Sequence, residues 1–91
     1  MAEIEFDHRK NEINIAKHGI SLERAAEIVP MRVKFDMRRD YGEERFLLYG
    51  LIDGAAHCLC YVERNGTMRA ISLRRMHVKE FNRHVQDQSR H

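Results

Sequence analysis

Apolar residues follow a helical spacing in the first third of the chain and a strand spacing after it. Asp7 is a suitable N-cap for a helix running to about Lys17, and Gly19 suits its left-handed C-terminal position. Ser21 can cap a second helix that Pro30 would end. The residues at core-facing spacings are Ile13, Ala16 and Ile20, then Leu22, Ala25, Ala26 and Val29. These segments predict an antiparallel pair of N-terminal helices.

Strand patterns dominate from Pro30 onward. Apolar Val33, Phe35 and Met37 alternate with charged residues, which predicts an edge strand with one solvent-exposed face. Residues 44–53 are apolar on both faces, as in a central strand. Tight turns are predicted at three places, namely Arg39 to Gly42, Asp53-Gly54 and Asn65-Gly66. Residues 44–73 should therefore form a three-stranded antiparallel meander.

The two ends of the chain complete the predicted fold. Residues 3–6 can form a short edge strand, and a C-terminal helix should begin near His77. We expect this helix to pack Val78, Phe81 and Val85 on the sheet, while Glu80, Arg83, His84 and Asp87 face away. Residues 86–91 are expected to be a flexible tail. The prediction is a single α+β domain, residues 1–91, with two N-terminal helices on an antiparallel sheet of about four strands.

The composition limits the possible functions only when the charges in different parts of the chain are counted separately. The net charge is +2, but residues 69–91 carry six Lys or Arg against two acidic residues. This asymmetry favours a nucleic acid or an acidic partner, although a basic solvated helix face gives the same pattern. Cys58 and Cys60 lie two apart on one strand face and are expected to be reduced core residues. The absence of a secretory signal pattern or a bilayer-length apolar segment predicts a cytoplasmic protein.

Basic residues near the C-terminus are the main candidates for chemistry. The sequence has no glycine-rich phosphate loop and no metal or nucleophile motif, so neither cofactor nor metal is expected. Several arginines are expected to share one rim of the sheet, namely Arg64, Arg69, Arg74 and Arg75. Guanidinium groups bind phosphate and stabilise the charge of a phosphoryl transition state. Glu80 and His84, four apart on a helix, can act as base and acid, with Glu80 favouring the imidazolium.

Three stretches of the chain, taken in order, resemble the BrnT family of bacterial type II toxins. They read FDHRKNEINIAKHGISLERAAEIV, EERFLLYGLIDG and CYVERNGTMRAISLRRMHVKEF. The resemblance extends from Phe6 to about His84. The chain departs from the usual pattern at Leu73, where a small residue is common, and at His84, where a tyrosine is common. Leu73 is expected to narrow the cationic rim.

This resemblance implies a RelE/ParE-like toxin fold and a metal-independent ribonuclease that inhibits translation. It also implies a BrnA-like antitoxin that binds the toxin in a hetero-oligomer. The family's basic and polar segment falls on Arg64, Arg69, Ser72, Arg74, Arg75 and Glu80. The expected catalytic residues are Arg64, Arg74, Glu80 and His84, and the expected RNA-binding residues are Lys17, Arg69, Arg75 and Lys79. Two other functions stay open, a non-enzymatic module that binds nucleic acid or protein, and a toxin that acts on a protein target.

Overall fold

A mixed five-stranded sheet with helical elements on both faces forms the structure, a computed structural model that describes residues 4–38, 40 and 42–87. The strands are β1 (Ile4–Phe6), β2 (Val29–Phe35), β3 (Phe46–Ile52), β4 (Ala55–Arg64) and β5 (Thr67–Arg75). The helices are α1 (His8–His18), a 3₁₀ helix (Leu22–Glu27) and α2 (Val78–Val85). The α+β class is therefore confirmed.

The strand order is β1-β5-β4-β3-β2, with β1 parallel to β5 and the other pairs antiparallel. The prediction of about four antiparallel strands was therefore one strand short and missed the parallel pair. The meander was predicted correctly, because both of its hairpins depend on local turn chemistry. Asp53 and Gly54 have φ of 51° and 75°, and Asn65 and Gly66 have 53° and 80°. Such consecutive positive φ angles are typical of two-residue hairpins.

The sheet carries a separate hydrophobic cluster on each face. On the face covered by α1 and the 3₁₀ helix, the buried residues include Leu22, Leu48, Leu59 and Leu73. The opposite face packs Phe81 of α2 against Tyr49, Ala56, Cys58 and Met76. We call these the core face and the α2 face.

Helix α1 begins and ends where the sequence predicted. The Asp7 side chain accepts hydrogen bonds from the backbone N–H groups of Arg9 and Lys10, and Gly19 is left-handed with φ 71°. The predicted apolar stripe was wrong, because Ile13 and Ala16 are exposed. Asn14 is instead buried, at 3% exposure.

The Asn14 side chain pairs with β5 as a neighbouring strand would. Its amide group donates to the carbonyl oxygens of Leu73 at 2.8 Å and Ile20 at 2.9 Å, while its oxygen accepts from the Leu73 N–H at 3.0 Å. Strand β1 pairs with β5 only as far as Ala70. Asn14 therefore attaches α1 to the part of the β5 edge that β1 leaves unpaired.

The second predicted helix is a 3₁₀ helix that ends at Glu27, so the predicted α-helical hairpin was wrong. Ser21 caps it as expected, with its hydroxyl accepting from the Glu23 N–H at 3.1 Å. A residue before proline favours extended backbone, which prevents a helix from reaching Val29. Val29 and Pro30 instead begin β2. Proline is tolerated there because β2 is an edge strand.

Strand β2 is the predicted edge strand, but its apolar residues lie in solvent. Val33 is 47% exposed, Phe35 57% and Met37, just beyond the strand, 84%. Between them, Lys34 is partly buried and the Asp36 side chain is fully buried, both on the α2 side. Alternation thus predicted a strand correctly but not which face is covered.

Helix α2 begins directly after His77 and buries Phe81, as predicted. Val78 was expected to pack on the sheet but is 62% exposed. Glu80 and His84 were expected to face away, yet both face a cleft on the sheet. The turn predicted at residues 39–42 and the tail at 86–91 lie partly outside the described residues.

Candidate active site

A cleft of about 230 Å³ lies on the α2 face of the sheet. Its floor consists of side chains from three neighbouring strands, namely Leu47, Tyr49, Cys58, Cys60, Ser72 and Arg74. Its rim is formed by Arg38, Glu80 and His84. Strand register aligns Tyr49, Cys58 and Arg74 in one row across β3, β4 and β5. The cleft therefore combines two guanidinium groups, a carboxylate and an imidazole.

A β-bulge in β5 determines which side chains of that strand enter the cleft. Tyr61 pairs with Ala70 but Cys60 pairs with Ser72, so Ile71 has no partner on β4. Side chains alternate along a regular strand, and an extra residue reverses the alternation beyond it. Ala70 and Leu73 consequently both lie in the core cluster. Ser72 and Arg74 enter the cleft because of this bulge.

Arg74 and Glu80 form a long and partly exposed ion pair. An Arg74 Nη2 atom lies 3.4 Å from Glu80 Oε2, and the two side chains are 41% and 37% exposed. Ion pairs of this kind contribute at most about 1 kcal/mol. A ligand phosphate can therefore displace the carboxylate at small cost and take the guanidinium in its place.

His84 is held against the sheet by an aromatic contact and by a lysine. Its ring stacks on Tyr49 with centroids 4.5 Å apart and planes at 10°. Lys34 Nζ lies 3.4 Å from His84 Nδ1 and 2.7 Å from Asp87 Oδ2. Because an ammonium group can only donate, Nδ1 is the acceptor, and a neutral ring carries its proton on Nε2.

The environment of His84 disfavours its charged form. Burial, followed by the Lys34 charge, lowers the pKa of His84 below 6.5, although Glu80 acts in the opposite direction. Glu80 favours the imidazolium as expected, but the net shift of the His84 pKa is in the opposite direction. Desolvation and Lys34 together outweigh the carboxylate four residues away.

Three groups on the cleft floor are neutral at pH 7. Burial raises the pKa of the Tyr49 phenol to about 12 and of the Cys58 thiol to about 11. It also raises the pKa of Cys60. Both cysteines are free and buried, as predicted. The thiolate is the nucleophilic form of cysteine, so these thiols are unsuited to nucleophilic attack.

Arg38 is fixed at the rim by a buried carboxylate. Its Nε and Nη2 atoms donate to Asp36 Oδ1 and Oδ2 at 2.8 and 2.7 Å. The Asp36 side chain is fully buried, whereas that of Arg38 is 67% exposed. This bidentate contact holds a cation at the cleft without removing it from solvent.

The predicted arginine rim is not assembled, because its members lie at different parts of the sheet. Arg64 pairs with Glu43 at 3.0 Å, at the hairpin that precedes β5. On β5, Arg64 lies opposite Thr67, which is seven positions before Arg74, about 23 Å along the strand at roughly 3.3 Å per residue. Arg69 pairs with Glu5 at 3.0 Å.

The other predicted RNA-binding residues also lie outside the cleft lining. Arg75 and Lys79 are exposed, at the end of β5 and in the first turn of α2. Lys17 is exposed in the last turn of α1. Leu73 was expected to narrow the rim, but it is completely buried on the core face. The structure thus brings together Arg74, Glu80 and His84 from the predicted set.

Sequence reasoning missed Tyr49, Arg38 and the cysteines as cleft residues. The Asp53-Gly54 turn alone places Tyr49 opposite Cys58, so that pairing was available from turn chemistry. The pairing of Cys58 with Arg74 could not be predicted in this way, because it depends on the bulge at Ile71. Arg38 enters through its contact with Asp36, which no local pattern indicates.

No helix among the described residues is long and apolar enough to span a membrane. In the same part of the chain, no group of three or more His, Cys, Asp or Glu is arranged to hold a metal ion.

The fold and the cleft define a small α+β protein with a cationic site suited to a polyanion. A family model for the ribonuclease toxin BrnT of type II toxin-antitoxin systems matches residues 6–80. The chain therefore belongs to the BrnT family. No curated protein matches it. The matched region contains Arg74 and Glu80 but ends before His84.

Proposed function

We propose that this protein is the toxin of a type II toxin-antitoxin pair and cleaves RNA in the cleft on the α2 face. The observation that carries the proposal is that Arg74, Glu80 and His84 converge on one cleft. Family membership supports ribonuclease activity. The cleft supports a reaction that uses the protein's own acid, base and cation.

The proposed reaction is attack of a ribose 2′-oxygen on the neighbouring phosphorus. Glu80 accepts the 2′-hydroxyl proton while the O2′–P bond forms, and the P–O5′ bond breaks as His84 gives a proton to the leaving 5′-oxygen. Arg74 stabilises the additional negative charge on the phosphate oxygens. The products are a 2′,3′-cyclic phosphate and a 5′-hydroxyl.

The lowered pKa of His84 gives this proposal a pH signature. An acid must carry its proton, and burial and Lys34 make the imidazolium scarce at neutral pH. The cleavage rate should therefore rise as the pH falls from about 7.5 through 6.5, the ordinary pKa of histidine. A rate that falls over this range would show that His84 acts as a base, and a constant rate would show that it takes no part.

The remaining proposals concern partners. We expect a BrnA-like antitoxin to bind this chain in a hetero-oligomer, and RNA cleavage to inhibit translation in the cytoplasm. Lys17, Arg69, Arg75 and Lys79 are proposed to contact RNA beyond the cleft. Arg64, paired with Glu43 near the other end of β5, is not proposed to act on the same phosphate.

The test is incubation of the purified protein with end-labelled RNA in the presence of EDTA. We expect the wild type to cut, and Arg74→Ala and Glu80→Ala to lose about 10²-fold or more in rate. Arg24→Ala is the matched control, because Arg24 pairs with Glu27 and Asp53 outside the cleft. Equal cleavage by all four proteins would contradict the proposed site.

A second candidate is a module that binds nucleic acid without cutting it. The lowered pKa of His84 favours this alternative, because it reduces the fraction of His84 that carries the proton required for cleavage. Binding needs only the cations. Salt-sensitive binding of RNA that stays intact over the pH range of the assay would support a binding module over a ribonuclease.

A further inference from the structure

A second cavity, of about 250 Å³, opens between α1 and β5 on the other side of Ser72. It forms where β1 no longer pairs with β5, beyond Ala70. The Asn14 side chain holds α1 against this part of the strand through its hydrogen bonds to Leu73. We call it the α1 cavity.

Three basic side chains from one face of α1 line this cavity. Lys10, Lys17 and His18 are seven and eight residues apart, so they lie on the same side of the helix. No acidic side chain is among the lining residues. Within the described part of the chain, none of the three forms an ion pair. The two lysines therefore concentrate positive charge in a cavity whose lining contains no carboxylate.

The α1 cavity adjoins the cleft. Ser72 lines both of them. Arg74, on the cleft side, is also close enough to affect His18, since burial and then the charges of Arg74 and Lys17 lower the pKa of His18. Positive charge therefore continues from the cleft across β5 to α1. Such a path suits a ligand with successive negative charges more than a single small anion.

The walls of the α1 cavity also suit a nucleotide. Ile13 and Ile71 provide apolar surface beside the cationic groups. Ile71 is the bulged residue of β5, so the same backbone irregularity that directs Arg74 into the cleft supplies a wall of the second cavity. A ribose or base can pack on this surface while its phosphate meets the lysines.

We propose that the α1 cavity binds a backbone phosphate of the RNA strand next to the phosphate held in the cleft, so that the strand crosses β5 at Ser72. This inference rests on the proposed function for the identity of the strand as the substrate. An acidic peptide would satisfy the same lysines, but continuity with the cleft favours RNA.

The test measures binding of 2′-O-methyl RNA, whose blocked 2′-oxygens prevent cleavage by the proposed route. Fluorescence anisotropy gives the affinity of a labelled ten-nucleotide strand over a range of salt concentrations. Each phosphate contact on a single strand contributes about −0.7 to the slope of log K against log salt. Lys17→Ala should make the slope shallower by about 0.7, and Lys10→Ala with Lys17→Ala by up to about 1.4.

Arg9→Ala is the matched control for these variants. It removes one positive charge from the same helix, and Arg9 is exposed and does not line the cavity. Its slope should equal that of the wild type. A labelled dinucleotide, too short to span both sites, should bind all variants alike.

The outcomes separate this inference from the proposed cleavage. A shallower slope for the lysine variants alone supports the α1 subsite, even if the wild type cuts no RNA. Equal slopes for Lys17→Ala and Arg9→Ala overturn it, even if Arg74→Ala abolishes cleavage. Failure of the wild type to bind the ten-nucleotide strand also overturns it, as does loss of slope in Lys17→Ala with the dinucleotide.

Discussion

The two faces of the sheet are built from the same strands but have different compositions. On the core face, Leu59 and Leu73 are completely buried among apolar neighbours. On the α2 face, their chain neighbours Cys58 and Arg74 line an open cleft. Alternation along β4 and β5 thus places a buried apolar core on one face of the strand pair and an open polar cleft on the other.

The comparison shows how a small domain can carry a polar cleft without losing its core. The 3₁₀ helix and α1 cover the core face, while α2 packs over only part of the other face through Phe81 and Val85. The uncovered area contains Ser72 and Arg74. Changes on the two faces should therefore have separable effects on stability and activity.

The largest effect is expected from Leu59→Ala. Removing a completely buried leucine leaves a cavity and should cost about 2–5 kcal/mol of unfolding free energy. Arg74→Ala, on the other face, should change stability by less than about 1 kcal/mol, because its ion pair is partly exposed. Urea denaturation measures both variants. Similar losses would remove the distinction between the faces.

Asn14→Ala tests the contribution of a buried polar side chain between α1 and β5. The variant leaves the Leu73 N–H and carbonyl without their side-chain partner at a buried position. We expect a loss of about 1–3 kcal/mol in urea denaturation. Glu12→Ala, an exposed change on the same helix, should stay within about 0.5 kcal/mol. Equal stability of the two variants would show that the Asn14 hydrogen bonds are unimportant.

The smallest effect concerns pH. Because the folded pKa of His84 lies below the unfolded value of 6.5, its contribution is complete above 6.5 and declines as the pH falls toward the folded pKa. The stability difference between wild type and His84→Gln should therefore shrink or reverse between pH 7.5 and 5. Measuring the difference cancels the contribution of His18, whose pKa is also lowered. A difference that is constant with pH would contradict the assignment.

What the sequence predicted correctly was mostly local. Asp53-Gly54 and Asn65-Gly66 contain their own turn chemistry, and Asp7 and Gly19 their own capping chemistry. The face on which a residue is buried depends on distant parts of the chain. Asn14 is buried because it meets Leu73, 59 residues away. Phe35 is exposed because no helix covers that part of the core face.

The candidate site shows the same contrast between features set by the local sequence and features set by distant parts of the chain. Arg74 and Glu80 are six residues apart and were identified together. Tyr49 and Arg38 reach the cleft through strand pairing and a buried carboxylate, which a single sequence does not display. Arg64 and Arg74 seemed to share a rim because they are close in sequence, yet an extended strand separates them.

The central claim is that the α2 face carries the chemistry and the core face carries the stability. The most direct measurement is the initial rate of RNA cleavage per folded molecule, with EDTA present and at a temperature where every variant is folded. Leu59→Ala should cut within a few-fold of the wild-type rate, while Arg74→Ala should be slower by about 10²-fold or more. Equal rates for Arg74→Ala and wild type, or a greater loss in Leu59→Ala, would contradict the claim.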